Sequence, residues 1–464
     1  MKFSVIPFNA ICVFFQLDDI IILRRTHRFF SLKLCSVASP NIILFPRTML
    51  NSRQMIEQFP KGRFIIDNTY CGYPDSLVSD ICANVTSLDL SECASLPSFV
   101  ESALPSSLTS LSLSSTSPVK PEMFSALTRL IELKLNNNPI NASILAKLPA
   151  LRKLDLDNNR TLTDLDIEML TLHSLSLGVN TTGRLKLKKL NLTHLNLNNQ
   201  PLDELKDELI QCTTITDLEF NMCAQKIDAA WTLVNEMTSI KKLTINDWTY
   251  LERYIVDDLK KFRNVAAFSL FRLETFVLGG AGWNRMCFPR YGMEKLSRLV
   301  IYNAHYCELN FRHLKNLTEL HLGNCILPAN TELAELKNLR RLKFERMATN
   351  RKSLDISPLG SLTSLEFLKG AFHSFVNNNG LVASGSLERL VMDADNSTVS
   401  DNKLKAFPNL KYLSLGRSSC KNVMGSCFAF LHNLFSLEIN EDHRLDKGPL
   451  ASLRRRGILI RYRR

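Results

Sequence analysis

The chain has 464 residues, 45% of them hydrophobic and 22% charged, with only 17 glycines and 17 prolines. That length exceeds what one compact core usually supports, so several domains or a repeat architecture are expected, and the apolar content excludes a disordered chain. The net charge of +12 raises the question of a nucleic-acid partner. However, six arginines and no acid crowd into the last eleven residues, Arg454 to Arg464, while the rest mixes both signs. The run reads as a solvated basic tail, and no nucleic-acid partner is expected.

At the N-terminus, Lys2 followed by the apolar run Phe3 to Phe15 has the pattern of a short signal peptide, interrupted by Pro7 and Asn9. Asp18 and Asp19 interrupt the longer apolar run and exclude an ordinary membrane span; no other stretch is apolar enough, so no transmembrane helix is expected. Residues 1–48 therefore read as a poorly ordered extension or signal-like segment, with a true start at Met49 as the alternative. Residues 49–84 read as an N-terminal cap.

From residue 85 a string L-x-x-L-x-L-x-x-N/C recurs. It appears as Val85-Leu88-Leu90 with Cys93, Leu108-Leu111-Leu113, Leu130-Leu133-Leu135 with Asn138, and Leu151-Leu154-Leu156 with Asn159. Leu172-Leu175-Leu177 with Asn180, Leu192-Leu195-Leu197 with Gln200, Ile215-Leu218-Phe220 with Cys223, and Ile240-Leu243-Ile245 follow, at spacings of 20 to 25 residues. These form a first half-array over 85–245. An irregular segment or insertion over 246–295 holds one weaker match, Leu273-Phe276-Leu278. A second half-array over 296–445 runs Leu296-Leu299-Ile301, Leu317-Leu320-Leu322 with Cys325, Leu339-Leu342-Phe344, Leu362-Leu365-Phe367, Leu387-Leu390-Met392, Leu410-Leu413-Leu415 and Leu434-Leu437-Ile439. Residues 446–464 form a C-terminal cap and the basic tail.

Each position has a physical role. The alternation L-x-L-x marks a short strand with leucines facing inward and the x positions outward. One unit cannot bury its own apolar face, so units stack into a continuous core. Leu148, Leu314, Leu336, Phe407 and Leu431 supply the return segments of the core. Asn138, Asn159 and Asn180 sit where a buried amide can pair with neighbouring backbone groups.

These strings are specific for the leucine-rich-repeat superfamily, and the chain is identified by them as a suspected member. The resemblance implies an α/β fold: a leucine-rich-repeat solenoid, or horseshoe, with a parallel concave sheet and irregular or short-helical convex returns. The run from Cys71 to Leu90, C-G-Y-P-D-S-L-V-S-D-I-C-A-N-V-T-S-L-D-L, resembles the paired-cysteine cap of receptor-like ectodomains. The resemblance implies a Cys71–Cys82 disulfide, with two free thiols as the alternative, since no Trp lies between them and no paired-cysteine cap closes the C-terminus. Among seven N-x-S/T sequons, Asn84, Asn141 and Asn396 remain candidate glycosylation sites. Secretion is favoured over a cytoplasmic location, which would suit two other resemblances. The strings Leu104 to Leu113 and Leu336 to Phe344 are similar to arrays of intracellular sensors and of ubiquitin-ligase substrate-recognition subunits.

No phosphate loop, dinucleotide fingerprint, zincin or nucleophile elbow occurs, and the cysteines show no metal spacing. The expectation is a protein that is not an enzyme, without catalytic residues, metal or cofactor. Its implied role is recognition of a protein or peptide partner through the concave face, in signalling; the alternatives are the intracellular sensor or ligase arm and a fragment of a larger receptor-like kinase. Trp, Tyr and Arg dominate partner hot spots, so the candidate contacts are Trp248, Tyr250, Trp283, Arg285, Arg290 and Tyr291 of the irregular segment. Arg298, Tyr302, His321 and Arg341 join them from outward strand positions. Other outward positions read from the register include Lys343, Glu345, Glu366, Arg389 and Tyr412.

Overall fold

The computed structural model describes residues 41–44, 63–66, 85–91, 104–116, 119–138, 142–159, 170–178, 187–198, 200, 202–221, 232–234, 236–246, 273–279, 294–302, 311–323, 333–345, 362–370, 385–392, 400–416, 423–440 and 443–463. The chain divides into two compact units, 1–215 and 216–464.

In the first unit β1 (Asn41–Leu44) pairs in parallel with β2 (Arg63–Ile66), and β2 with β3 (Ser87–Asp89) through Phe64↔Leu88. The sheet thus starts before the first match to the repeat string. The template strands follow one by one: β4 (Ser110–Ser112), β5 (Glu132–Lys134), β6 (Lys153–Asp155), β7 (Ser174–Ser176) and β8 (His194–Asn196). Their register aligns Leu88, Leu111, Leu133, Leu154, Leu175 and Leu195 in one row. Each of those leucines is at most 2% exposed, so the row is the core expected from the alternation.

These strands are three residues long because the chain turns immediately after them. Ser115, Asn137 and Asn158 take the left-handed conformation there, with φ of 57°, 59° and 58°, a region that asparagine tolerates better than most residues. The turn leaves carbonyls of the previous repeat without a ladder partner. The buried amide of Asn138 donates to the Leu113 carbonyl, Asn159 to Leu135 at 3.1 Å, and Gln200 to Leu177 at 3.1 Å. The amide role expected for Asn138 and Asn159 holds; Asn180, Cys93, Cys223 and Cys325 lie outside the described residues.

The second unit has longer strands: β9 (Asp217–Asn221), β10 (Lys242–Asn246), β11 (Thr275–Gly279), β12 (Arg298–Tyr302), β13 (Glu319–Gly323) and β14 (Arg341–Glu345) span five residues each. β15 (Phe367–Gly370), β16 (Arg389–Met392) and β17 (Tyr412–Leu415) have four; β18 (Ser436–Asn440) and β19 (Leu459–Arg463) again have five. From β9 to β19 each strand pairs in parallel with the next, and the register runs from β10 through β11 to β12 without a slip. Parallel neighbours need a crossover. Short 3₁₀ turns such as Phe311–His313 and Leu333–Glu335 serve here, as do the helices α1 (Ala142–Leu145) and α2 (Leu202–Ile210) of the first unit and α3 (Asp401–Leu404) of the second. Leu148, Leu314, Leu336, Phe407 and Leu431 are buried behind the sheets as expected.

One repeat departs from the expected frame. Leu342 pairs with Leu368, not Leu365, and Arg341 pairs with Phe367. The strand therefore lies three residues later than the Leu362-Leu365-Phe367 reading places it. Phe367 turns outward, and Glu366, expected on a strand, precedes it. The cause is a local degeneracy: Leu359, Leu362, Leu365 and Leu368 recur every three residues, so a shift of three still matches the template. Leu362, Leu365 and Leu368 are all buried.

The C-terminal run is also not a solvated tail. Helix α4 (Lys447–Arg455) buries Leu450 and Leu453, and Arg456 donates to the carbonyls of Phe428 (2.8 Å), Leu431 (2.7 Å) and His432 (3.2 Å). β19 then adds to β18, pairing Leu437 with Ile460. Arg456 thereby supplies donors to carbonyls of the preceding return.

Candidate functional site

The outward rows of the two units carry different chemistry. On the first unit small polar groups bond to one another. Ser91 bridges Asp89 and Ser112 at 2.6 Å each, Asn136 donates to Asp155 at 3.2 Å, and Ser176 donates to Asp157 at 2.7 Å. Such a surface has little unspent hydrogen-bonding capacity.

On the second unit the first outward row reads Asp217, Lys242, Thr275, Arg298, Glu319, Arg341, Phe367, Arg389, Tyr412 and Ser436. Its early members form cross-strand ion pairs: Lys242 lies 2.6 Å from Asp217, and Arg298 lies 3.6 Å from Glu319. From β14 onward the row changes. The Arg341 guanidinium sits 5.9 Å from the Phe367 ring centre, Arg389 sits 5.4 Å from the same ring, and Arg389 sits 4.4 Å from the Tyr412 ring. This is a cation–π ladder across four strands, closed by a bond from the Tyr412 hydroxyl to Glu438. Among the described residues no carboxylate pairs with Arg341 or Arg389.

The second outward row places His321, Lys343, Lys369 and Val391 beside that ladder. The Glu345 carboxylate gathers this row. It lies 2.5 Å from Lys343, 3.7 Å from Lys369 and 3.2 Å from His321 Nε2. Desolvation pushes the Glu345 carboxyl upward, but the bond from Lys343 and the charges of Lys343, His321 and Lys369 outweigh it and hold the group below its ordinary value. His321 is 6% exposed, with Nδ1 2.9 Å from the Tyr302 hydroxyl and the two rings meeting edge to face at 4.7 Å. Its Nε2 faces Glu345 out of line for a hydrogen bond. Burial, and then Lys343, lower the His321 pKa despite Glu345. Burial, then Glu345, raises that of Tyr302. Gly323 makes the arrangement possible: a Cβ there would lie 2.5 Å from Tyr302 Cδ1.

A depression of about 330 Å³ lies over β13 to β17, lined among others by Glu319, Arg341, Phe367, Lys369, Arg389 and Tyr412. Of the expected contacts, Arg341 is part of this depression. Tyr302 and His321 pair next to it, and Arg298 is engaged with Glu319. Trp248, Tyr250, Trp283, Arg285, Arg290 and Tyr291 lie outside the described residues, as do Cys71, Cys82, Asn84, Asn141 and Asn396. Sequence reasoning missed Phe367 and Lys369, because the shifted frame hid both. The two described free cysteines, Cys212 and Cys427, are buried, and burial raises both thiols, Cys212 to about 11. They are packing residues and not nucleophiles.

Among the described residues no group of three or more His, Cys, Asp and Glu could hold a metal ion, and no helix is long and apolar enough to cross a membrane. No protein-family model matches the chain. Human LRRC8B, a volume-regulated anion channel subunit, is 30% identical over 132 residues, covering 28% of this chain and 14% of that protein. Among solved structures the TLR13–ssRNA13 complex resembles it with a TM-score of 0.53 at 18% identity, covering 92% of this chain and 62% of that one. An internalin (inlF) from Listeria monocytogenes gives a TM-score of 0.37 at 19% identity, over 68% and 81% of the two chains. The chain therefore spans under two thirds of both the curated relative and the first of these structures.

Proposed function

We propose that the chain, which has a leucine-rich-repeat fold, is a non-enzymatic recognition module that binds a protein or peptide partner through the outward face of its second unit, in a signalling role. The observation that carries this reading is the ladder of Arg341, Phe367, Arg389 and Tyr412. Arg and Tyr are the residue types that supply most interface energy, since they bury large area at low entropic cost. The cations elsewhere on the row are neutralised by acids, whereas among the described residues no acid pairs with these two.

Alanine at Arg389 tests the reading. The side chain is exposed, so the melting temperature should stay within about 2 °C, corresponding to a surface change of roughly 0.5 kcal/mol or less. Partner affinity should fall at least about tenfold, as for a hot-spot arginine. Unchanged affinity sinks the assignment of the face. The aromatic segment around Trp283 and Arg290 is proposed as a second contact region: alanine there should reduce binding with unchanged melting, and a large melting loss would assign it to packing instead.

A further inference from the structure

Resting on that reading, we infer that the partner segment is an acidic peptide, bound across the strands, with two carboxylates three residues apart that meet Arg341 and Arg389. The two arginines stand on β14 and β16, with Phe367 of β15 between them. Adjacent strands are ~4.8 Å apart, so the guanidinium-bearing positions are separated by about 10 Å. A peptide in the polyproline II conformation covers about that distance in three residues at ~3.1 Å each and, with about three residues per turn, brings the third side chain back to the same face. Acids at i and i+3 of such a peptide therefore fall on the two forks together, whereas acids at i and i+1 or i+2 do not.

The ladder also prepares the forks. Each guanidinium lies over the Phe367 ring, and Arg389 lies over Tyr412 as well. The rings hold the guanidiniums through their charge, and among the described residues no carboxylate takes up their N–H groups, whose fork matches a carboxylate bidentately. Side-chain freedom lost on binding is thereby reduced beforehand. Lys343 and Lys369 are committed to Glu345, which leaves the two arginines to set the spacing.

The same ladder disfavours single-stranded nucleic acid. Bases bind by stacking on open aromatic faces along an extended basic track. Here guanidiniums cover those rings, and the basic stretch is bounded by Glu319 on one side and Glu438 on the other.

The test pans the full chain against a random-peptide display library and then measures synthetic peptides, and an oligouridylate, by fluorescence anisotropy at physiological ionic strength. Enriched peptides should carry acids at i and i+3. Moving one acid by a single position should weaken binding at least ~10-fold, and the double variant R341Q/R389Q should do the same with unchanged melting, as expected for loss of a bidentate charged pair. Phe367→Ala should weaken binding less than the double variant. Enriched peptides without acids that still lose binding in R341Q/R389Q would overturn the acidic inference and keep the recognition face. Acidic peptides indifferent to spacing would overturn the inference too. Tighter binding of oligouridylate, lost in the double variant, would replace the peptide with a nucleic acid. No enriched peptide, or peptides that the double variant binds equally well, would remove the recognition face itself.

Discussion

The two units differ at the ends of their strands: the first pairs carbonyls of the previous repeat with side-chain amides, and the second extends its backbone ladder. Strands β3 to β8 stop after three residues, turn through left-handed Ser115, Asn137 and Asn158, and rely on the amides of Asn138, Asn159 and Gln200 to reach the carbonyls of the previous repeat. Strands β9 to β14 continue to five residues, so the ladder itself pairs those groups. The consequence reaches the surface. Several outward positions of the first unit are small polar groups bonded among themselves. The longer strands of the second display two rows of large side chains, on which arginines and aromatic rings stack. One repeat string supports both because it constrains only the inward positions.

The widest expected contrast concerns the shifted repeat. Leu368 is 1% exposed and inward, so Leu368→Ala should cost about 2–5 kcal/mol in denaturant unfolding. Because repeat arrays need not unfold in one step, hydrogen exchange on the flanking strands should accompany it. Asn138→Ala comes next. It removes a buried amide that donates to both the Leu113 carbonyl and the Thr116 hydroxyl, leaving Thr116 Oγ1 as the donor to that carbonyl, at a cost of about 1–2 kcal/mol for the two bonds; a loss below about 0.5 kcal/mol would break the contrast between side-chain and backbone closure.

The second unit also has a side-chain device that reaches backbone N–H groups of the next repeat. The Asp401 carboxylate accepts from the backbone N–H groups of Met424 (2.8 Å), Gly425 (3.0 Å) and Cys427 (2.9 Å). Desolvation pushes its pKa up, but those bonds, that from Cys427 first, bring it below the ordinary value of 3.8. A carboxyl depressed on folding stabilises above the unfolded value and loses that stability as pH falls through the folded one. Asp401→Asn should therefore cost about 1–2 kcal/mol at neutral pH and progressively less in acid.

His321 gives a smaller effect in a milder window. Its folded pKa is lowered, chiefly by burial, so its contribution is complete above the ordinary imidazole value of 6.5 and is lost as pH falls through the folded value. Melting curves of the wild-type chain should fall off over this range relative to those of His321→Gln; parallel curves would contradict the buried neutral imidazole. The smallest effect belongs to Phe367→Ala. With the ring outward it should shift stability by roughly 0.5 kcal/mol or less, whereas the inward placement read from sequence demands about 3–5 kcal/mol.

Much of this was legible beforehand. The leucine rows, the parallel pairing and the amide role of Asn138 and Asn159 follow from the repeat string, because inward positions answer to burial alone. The frame around Phe367 was not legible, since leucines spaced by three satisfy either placement. β1 and β2 escaped because N-I-I-L and R-F-I-I lack the template, and β19 escaped because its arginines looked like a solvated run. The ladder needed the corrected frame: only with Phe367 outward do Arg341 and Arg389 acquire a ring between them.

The decisive measurement sets the two faces against each other with one probe. A peptide bearing acids at i and i+3 is titrated into the charge reversals R341E/R389E of the second unit and K134E/K153E of the first. Both pairs stand at outward strand positions. Loss of binding in the former alone, with unchanged melting in both, is the predicted result. Equal loss in both variants would show general attraction to a basic chain, and loss in the latter alone would move the recognition face to the first unit.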